Sequence, residues 1–371
     1  MNKFIVIGAG ILGASAAYHL ARKGAEVTVI DRHDAGQATD AAAGIICPWL
    51  SQRRNKAWYA LAKGGAAYYE TLAIMLEEDG EADTGYKKVG AISIHADADK
   101  LEKMAARAVL RRETAPEIGE IMQLGPEETA ALFPPLSKEF ASVKVSGAAR
   151  VNGRALRNAL ILGAKKNGAE FVQASAKLEQ NGSRVTAVLA DGQRYEASAI
   201  IVTAGAWAAE LFAPLGIDLA VTSQKAQIIH LQLEDTDTRG WPVVMPPNDQ
   251  YIVAFDEGRV VIGATHENEM DFDLRVTAGG LHEVLDKALN AVPGLAEGTF
   301  LEARVGYRPF TPGFLPVIGT VPGHQNLLFA NGLGASGLTA GPFLGAELAK
   351  LALGEHLDID LSLYEVAKAI R

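Results

Sequence analysis

The feature that most constrains the fold is a glycine pattern near the start of the chain. Gly8-Ala9-Gly10-Ile11-Leu12-Gly13 reads G-x-G-x-x-G. It follows the β-branched run Phe4-Ile5-Val6-Ile7, suited to a strand buried on both faces, and opens an alanine-rich helix from Ile11 to Lys23. Gly24 then takes a helix-ending position, and Val27-Thr28-Val29-Ile30 predicts a second strand closing on Asp31, 21 residues after Gly10. A strand, a glycine turn, a helix and a second strand ending in an acid form the front half of a doubly wound parallel sheet. In that context the pattern is a dinucleotide fingerprint. Gly8 permits the sharp turn, Gly10 lets backbone approach a pyrophosphate, and Gly13 allows helix to pack on strand. The helix N-terminus supplies free N–H groups and a positive dipole for the phosphates. Asp31 accepts from ribose hydroxyls and disfavours a 2′-phosphate. FAD and NAD both fit this much.

The remaining segments surround that core. Helices are expected at about 55–78, despite Gly64-Gly65, and at 152–166, 280–291 and 340–353; a charged helix lies within 86–141. Strands are expected at 91–95, 170–172, 199–203, 227–233, 251–255 and 260–263, with a hairpin turned at Asp191-Gly192. At roughly 150 residues per domain, 371 residues make about two units. Nucleotide-type segments occur at the start, middle and end, so each unit is assembled from separated stretches.

Composition narrows the function. A net charge of −9 argues against nucleic acid and against anionic membrane surfaces as partners. The single cysteine, Cys47, excludes a disulfide framework and a cysteine-based zinc cluster. No unbroken run of 18 apolar residues predicts a membrane span, and glycines 8, 10 and 13 interrupt the apolar start, so a cytoplasmic location is expected. No H-E-x-x-H or G-x-S-x-G occurs, which removes the zincin and serine-hydrolase readings. His266, Glu267, Glu269, Asp271 and Asp273 form an acidic run without metal-ligand spacing, and no metal is expected.

Two further stretches choose between the dinucleotides. Gly36 to Gly44 is a run of small residues past which backbone can approach a flat ring. Near the other end, Asn331-Gly332-Leu333-Gly334-Ala335-Ser336-Gly337-Leu338-Thr339 is a second glycine-rich loop feeding a helix N-terminus. A helix end aimed at a flavin ring stabilises the negative charge that reduction brings.

With these stretches, Ala204-Gly205-Ala206-Trp207, Gly306-Tyr307-Arg308-Pro309-Phe310-Thr311-Pro312 and Leu315-Pro316-Val317-Ile318-Gly319, nearly the whole chain resembles the FAD-dependent D-amino-acid oxidase superfamily. The nearest branch is that of glycine oxidase and D-amino-acid dehydrogenase. The resemblance implies an α/β fold: a Rossmann-like FAD-binding domain (1–84, 142–218 and 306–371) and a β-sheet-rich α+β substrate domain (85–141 and 219–305). It implies a flavin contacted by Gly8, Gly10, Ile11, Leu12, Gly13, Asp31, Arg32, Thr39, Ala42, Ala43, Gly44, Ile46, Ala176, Ala204, Gly205, Trp207, Arg308, Gly334, Ala335, Ser336, Gly337, Leu338 and Thr339.

Members with a histidyl-flavin bond carry a histidine in the early loop. Ala38 to Ala43 has none, so the FAD is expected to be non-covalent. His33 is expected to meet ribose or solvent, and Cys47 to be a small buried hydrophobe, although a thioether to the ring is conceivable. Arg308 corresponds to the arginine that pairs with a substrate carboxylate, a planar anion that a guanidinium fork matches. Tyr251 resembles a substrate-binding tyrosine, and Tyr307 is a second candidate. The implied chemistry is hydride transfer from an α-amino acid, a D-amino acid or glycine, to the flavin. A secondary amine such as sarcosine or proline, a 2-hydroxy acid, or a non-catalytic flavoprotein subunit are the alternatives. Oxygen or another acceptor completes the cycle.

Overall fold

The computed structural model describes residues 2–268 and 271–371. Its first sheet has six strands in the order Val317–Thr320, Leu327–Asn331, Ala199–Val202, Lys3–Ile7, Glu26–Asp31, Glu170–Gln173. All pair in parallel except Val317–Thr320, an antiparallel edge. Lys3–Ile7 is central, so both of its faces are covered, and alternation separates them. Phe4 and Val6 join the helices through Tyr18, Leu160 and Leu344. Ile5 and Ile7 meet Leu178, Val188 and Phe212 on the opposite side. The helices on the first face are Ile11–Arg22, Gly153–Lys166, Lys56–Glu78 and Gly337–Leu353. Gly64-Gly65 does not break Lys56–Glu78, and a Cβ on Gly65 would stand 2.2 Å from the Thr339 carbonyl oxygen. Glycine there permits close approach of two helices. The expected hairpin forms at Asp191-Gly192, both at positive φ.

The second sheet is mainly antiparallel and is built on Thr222–Gln232. Glu267–Asn268 and Arg259–Gly263 pair with it, followed by Tyr251–Ala254, Val243–Met245, Ala91–His95, Ala141–Val145 and Ile121–Leu124. Ile229 and Leu231 face a core shared with the helix Ala278–Ala291. Ala226 and Ile228 face the opposite way, into the core shared with the first sheet.

One strand departs from expectation. Thr299–Phe310 is a continuous 12-residue strand antiparallel to Thr222–Gln232. Gly306 and Pro309 hide it in the sequence. Its other edge makes only an isolated bridge, between Tyr307 and Gln37, so a proline lacking its N–H is tolerated there. The boundaries expected at 141/142 and 305/306 each fall inside a strand of the second sheet.

Candidate active site

A cavity of about 760 Å³ runs from the fingerprint to the second sheet. At one end, Gly8 has φ +100° and donates its N–H to the Ile30 carbonyl at 2.9 Å. A Cβ on Gly13 would lie 1.8 Å from the Gly8 carbonyl oxygen. Gly13 thus packs under the turn and does not reach the cavity wall. Gly10 is different: a Cβ there would meet only Thr39 Oγ1, at 3.6 Å, and would project toward the cavity. Asp31 accepts from the Ala9 and His33 N–H groups, both at 2.6 Å, which fixes its carboxylate against the turn. Arg32 is held by Asp34 and by Glu210.

Small residues form the next wall. The turn Ala38–Ala41 is tied down by Arg157, which donates to Gln37 Oε1 at 3.0 Å and Asp40 Oδ1 at 2.6 Å. Thr39 Oγ1 accepts from the Ile11 N–H at 3.0 Å. Ala42, Ala43 and Gly44 follow along the wall, and a Cβ on Gly44 would collide with the Val151 carbonyl oxygen. Ala176, Ala204, Gly205 and Trp207 also line the cavity.

The C-terminal loop makes the facing wall with Gly334, Ala335, Gly337, Leu338 and Thr339. A Cβ on Gly334 would meet the Phe310 ring at 2.2 Å, whereas one on Gly337 would meet nothing within 4 Å. The Gly10 and Gly337 positions are thus spared side chains by no neighbour in the protein. Two cavity-facing backbone cradles at opposite ends of the chain fit the pyrophosphate and the ring of FAD.

Three residues expected at the flavin lie off the cavity lining: Gly13, packed under the turn, Ile46 and Ser336. Ile46 is buried away from the cavity because strand alternation turns its neighbour Ile45 inward instead. Ser336 also faces away: its Oγ accepts from Trp58 Nε1 at 2.8 Å. The Thr339 hydroxyl donates to the Ile45 carbonyl at 2.9 Å, so only its backbone and methyl are left for the cavity. Sequence reasoning missed an apolar wall from Leu178, Leu189, Leu211 and Pro214. No motif marks these residues; the fold alone gathers them.

Tyr251 and Arg308 meet at the other end of the cavity. Arg308 donates from Nη1 to Gln224 Oε1 at 3.2 Å, and among the described residues no carboxylate lies within 4 Å of it. Burial raises the Tyr251 phenol above its ordinary value, with the Arg308 guanidinium beside it opposing the shift. Burial and Arg308 together depress His266, against the pull of Asp249.

Tyr307 also borders the cavity, but its side chain does not join this pair. Alternation turns it to the other face of the strand, where its ring lies 4.9 Å from that of Phe272 and over Gly36. Burial, with Asp273 and Glu267 adding, pushes its phenol up to about 12, and its hydroxyl finds no partner among the described residues. Cys47 is buried off the cavity wall, with its thiol pushed up to about 12 by burial. His33 is exposed. Of the acidic run, Glu269 lies outside the described residues. Glu267 serves Gln227 and Thr265, Asp273 serves Arg275, and no metal-holding group occurs among the described residues.

Residues 3–351 match the FAD dependent oxidoreductase (DAO) family. The chain belongs to that family. It is an FAD-dependent oxidoreductase. It is 62% identical to the uncharacterized oxidoreductase YurR of Bacillus subtilis (strain 168) over the full length of both chains. It is 29% identical to glycine oxidase of Pseudomonas aeruginosa over 99% of each. Among solved structures, iminodiacetate oxidase (IdaA) from Chelativorans sp. BNC1 superposes with a TM-score of 0.95 and 46% identity, covering 98% of both chains. Glycine oxidase from Geobacillus kaustophilus follows the same fold with a TM-score of 0.86 and 25% identity over 99% of both. No described helix is long and apolar enough to cross a membrane.

Proposed function

We propose that this enzyme oxidises the carbon beside the nitrogen of a small amino carboxylate, with secondary amines as its foremost substrates. The observation that carries the reading is Arg308, a cavity guanidinium without a described acid partner. A guanidinium has five N–H donors, and Gln224 takes one, so a carboxylate can be gripped in bidentate fashion. Tyr251, kept protonated at neutral pH, donates a second hydrogen bond to the same anion. Held by its carboxylate, the substrate presents one C–H bond in a fixed direction, and such orientation lowers a barrier by several kcal/mol.

FAD, when bound, supplies the two-electron acceptor, and oxygen or another acceptor regenerates it. In this reading Gly8, Gly10, Ile11, Leu12, Asp31 and Arg32 hold the adenosine and pyrophosphate. Thr39, Ala42, Ala43, Gly44 and the turn Gly334–Thr339 hold the ring. His266, depressed by burial and by Arg308, is neutral near pH 7 and adds no competing cation. Hydride transfer from the neutral amine requires no obligatory protein base, and the reading assigns none.

Secondary amines are placed ahead of D-amino acids and glycine because similarity to iminodiacetate oxidase exceeds that to glycine oxidase in both identity and fold. The test is an anaerobic screen of flavin bleaching with iminodiacetate, sarcosine, proline, glycine, D-alanine and lactate. Bleaching by secondary amines supports the reading. Bleaching by lactate alone, or by nothing, overturns it.

A further inference from the structure

The sheet that carries Arg308 sorts its side chains by charge. On the central strand Thr222–Gln232, Gln224 stands directly opposite Arg308 on one neighbouring strand and directly opposite Asn268 on the other. Cross-strand partners share a face, so these three side chains form one row. The adjacent row, Glu267, Lys225 and Tyr307, is turned to the reverse face by alternation. There the acids are already engaged: the buried Lys225 ammonium lies 3.7 Å from Glu267 and 3.6 Å from Asp273. Asp249, which His266 approaches at 3.4 Å, accepts from Lys287 at 2.9 Å. The row that contains Arg308 thus holds two amides and no carboxylate.

The polarity of that row follows from which groups can donate. A guanidinium has no acceptor, so the Gln224 atom 3.2 Å from Arg308 Nη1 has to be the amide oxygen. The Gln224 NH2 group is thereby turned the other way, where it donates to Asn268 Oδ1 at 2.9 Å. Asn268 is exposed and Gln224 half-buried, so the relay runs inward from solvent to Arg308. Arg308 lines the cavity, whereas Gln224 does not and reaches it only through this hydrogen bond.

Two consequences fall on Arg308. Its long side chain is held before a ligand arrives, which removes an ordering cost from binding. Its charge also stays whole. An amide oxygen accepts a hydrogen bond without neutralising the cation, whereas a carboxylate in the same place would form an ion pair and compete with an incoming anion.

We propose that Gln224 is the positioning residue of the carboxylate site and the position that sets its charge selectivity. Backed by Asn268, it keeps Arg308 oriented and un-neutralised, so the enzyme demands an anionic group on its amine substrate. Gln224 acts through Arg308 and touches neither substrate nor flavin. The inference rests on the assignment of the substrate carboxylate to Arg308 proposed above.

The test compares sarcosine with sarcosinamide, and glycine with glycinamide, on the FAD-loaded enzyme; in each pair a neutral carboxamide replaces the carboxylate. Methylthioacetate and thiodiacetate, carboxylates without an oxidisable nitrogen, report binding through the flavin band. The unmodified enzyme should favour the carboxylate of each pair in kcat/KM. Gln224→Glu should lower that preference by about tenfold to a hundredfold, because the introduced acid occupies the guanidinium and repels a second anion. It should weaken methylthioacetate and thiodiacetate as well. Gln224→Leu, which leaves the cation free and removes only its support, should weaken methylthioacetate by about threefold to tenfold, with the kinetic change in KM rather than kcat. A merely structural role for Gln224 would lower FAD content or melting temperature in both variants and leave the carboxylate preference untouched. An unchanged preference in flavin-loaded Gln224→Glu, or unchanged methylthioacetate binding in flavin-loaded Gln224→Leu, overturns the proposal alone. If the unmodified enzyme bleaches with none of these amines, or bleaches without preferring the carboxylates, the assignment of Arg308 fails first and the role of Gln224 falls with it.

Discussion

Replacing Arg308 with glutamine separates recognition of the substrate from integrity of the fold. The guanidinium spends one donor on Gln224 and, among the described residues, none on a carboxylate, so its removal strands no buried acid. Folding stability should therefore change by less than about 1 kcal/mol. Substrate binding is another matter. A bidentate pair comprises two charge-assisted hydrogen bonds of about 1.5–3 kcal/mol each, or about 3–6 kcal/mol together. At about 1.4 kcal/mol per decade, kcat/KM should fall by about 10²–10⁴. Stopped-flow measurement of anaerobic flavin bleaching gives the rate, the visible spectrum gives FAD content, and denaturant titration gives stability. A variant with full FAD content and kcat/KM within threefold of the unmodified enzyme would refute the assignment of Arg308. A large loss of stability would show instead that Arg308 serves the fold.

Other consequences of the structure can be checked independently. Gly10→Val should fold but purify colourless, because its side chain points at the cavity and no protein atom stands closer than Thr39 Oγ1; a fully yellow variant places the pyrophosphate elsewhere. Gly13→Ala, by contrast, should lower the melting temperature sharply, since its Cβ would lie 1.8 Å from the Gly8 carbonyl oxygen. Cys47→Ala should leave the flavin spectrum unaltered, and acid precipitation should release FAD into the supernatant from both proteins. His19, buried against Tyr68, is depressed to about 3 by burial, then by Lys23, Arg22 and Lys350. Because the unfolded chain takes up this proton near pH 6.5 and the folded one does not, stability should fall as pH drops from about 6.5 toward 3. The cost is about 1.4 kcal/mol per pH unit for this one group. Denaturant titrations of the unmodified protein and His19→Gln between pH 7 and 4 should show a shallower slope in the variant; equal slopes would remove His19 from the account.

Legibility in the sequence followed the range of the interactions. The fingerprint could be read because its constraints are local: Gly8 and Gly13 face each other across five residues, and Asp31 caps the turn through the Ala9 N–H. The C-terminal loop was legible for the same reason. Where alternation decides the outcome, knowing the segment did not fix the side. Ile45 and Tyr307 show this, as does Ser336, which a distant tryptophan draws away from the cavity. The strand Thr299–Phe310 escaped because Gly306 and Pro309 oppose strand propensity, and only pairing with Thr222–Gln232 overrides them.

The central claim is that one cavity holds FAD between the two glycine cradles and sets a carboxylate on Arg308. A crystal structure of the yellow enzyme with thiodiacetate tests it most directly. The account predicts the flavin ring between Ala42–Gly44 and Gly334–Thr339, with one carboxylate gripped by Arg308. Flavin density outside that cavity, or a ligand carboxylate that avoids Arg308, would contradict it.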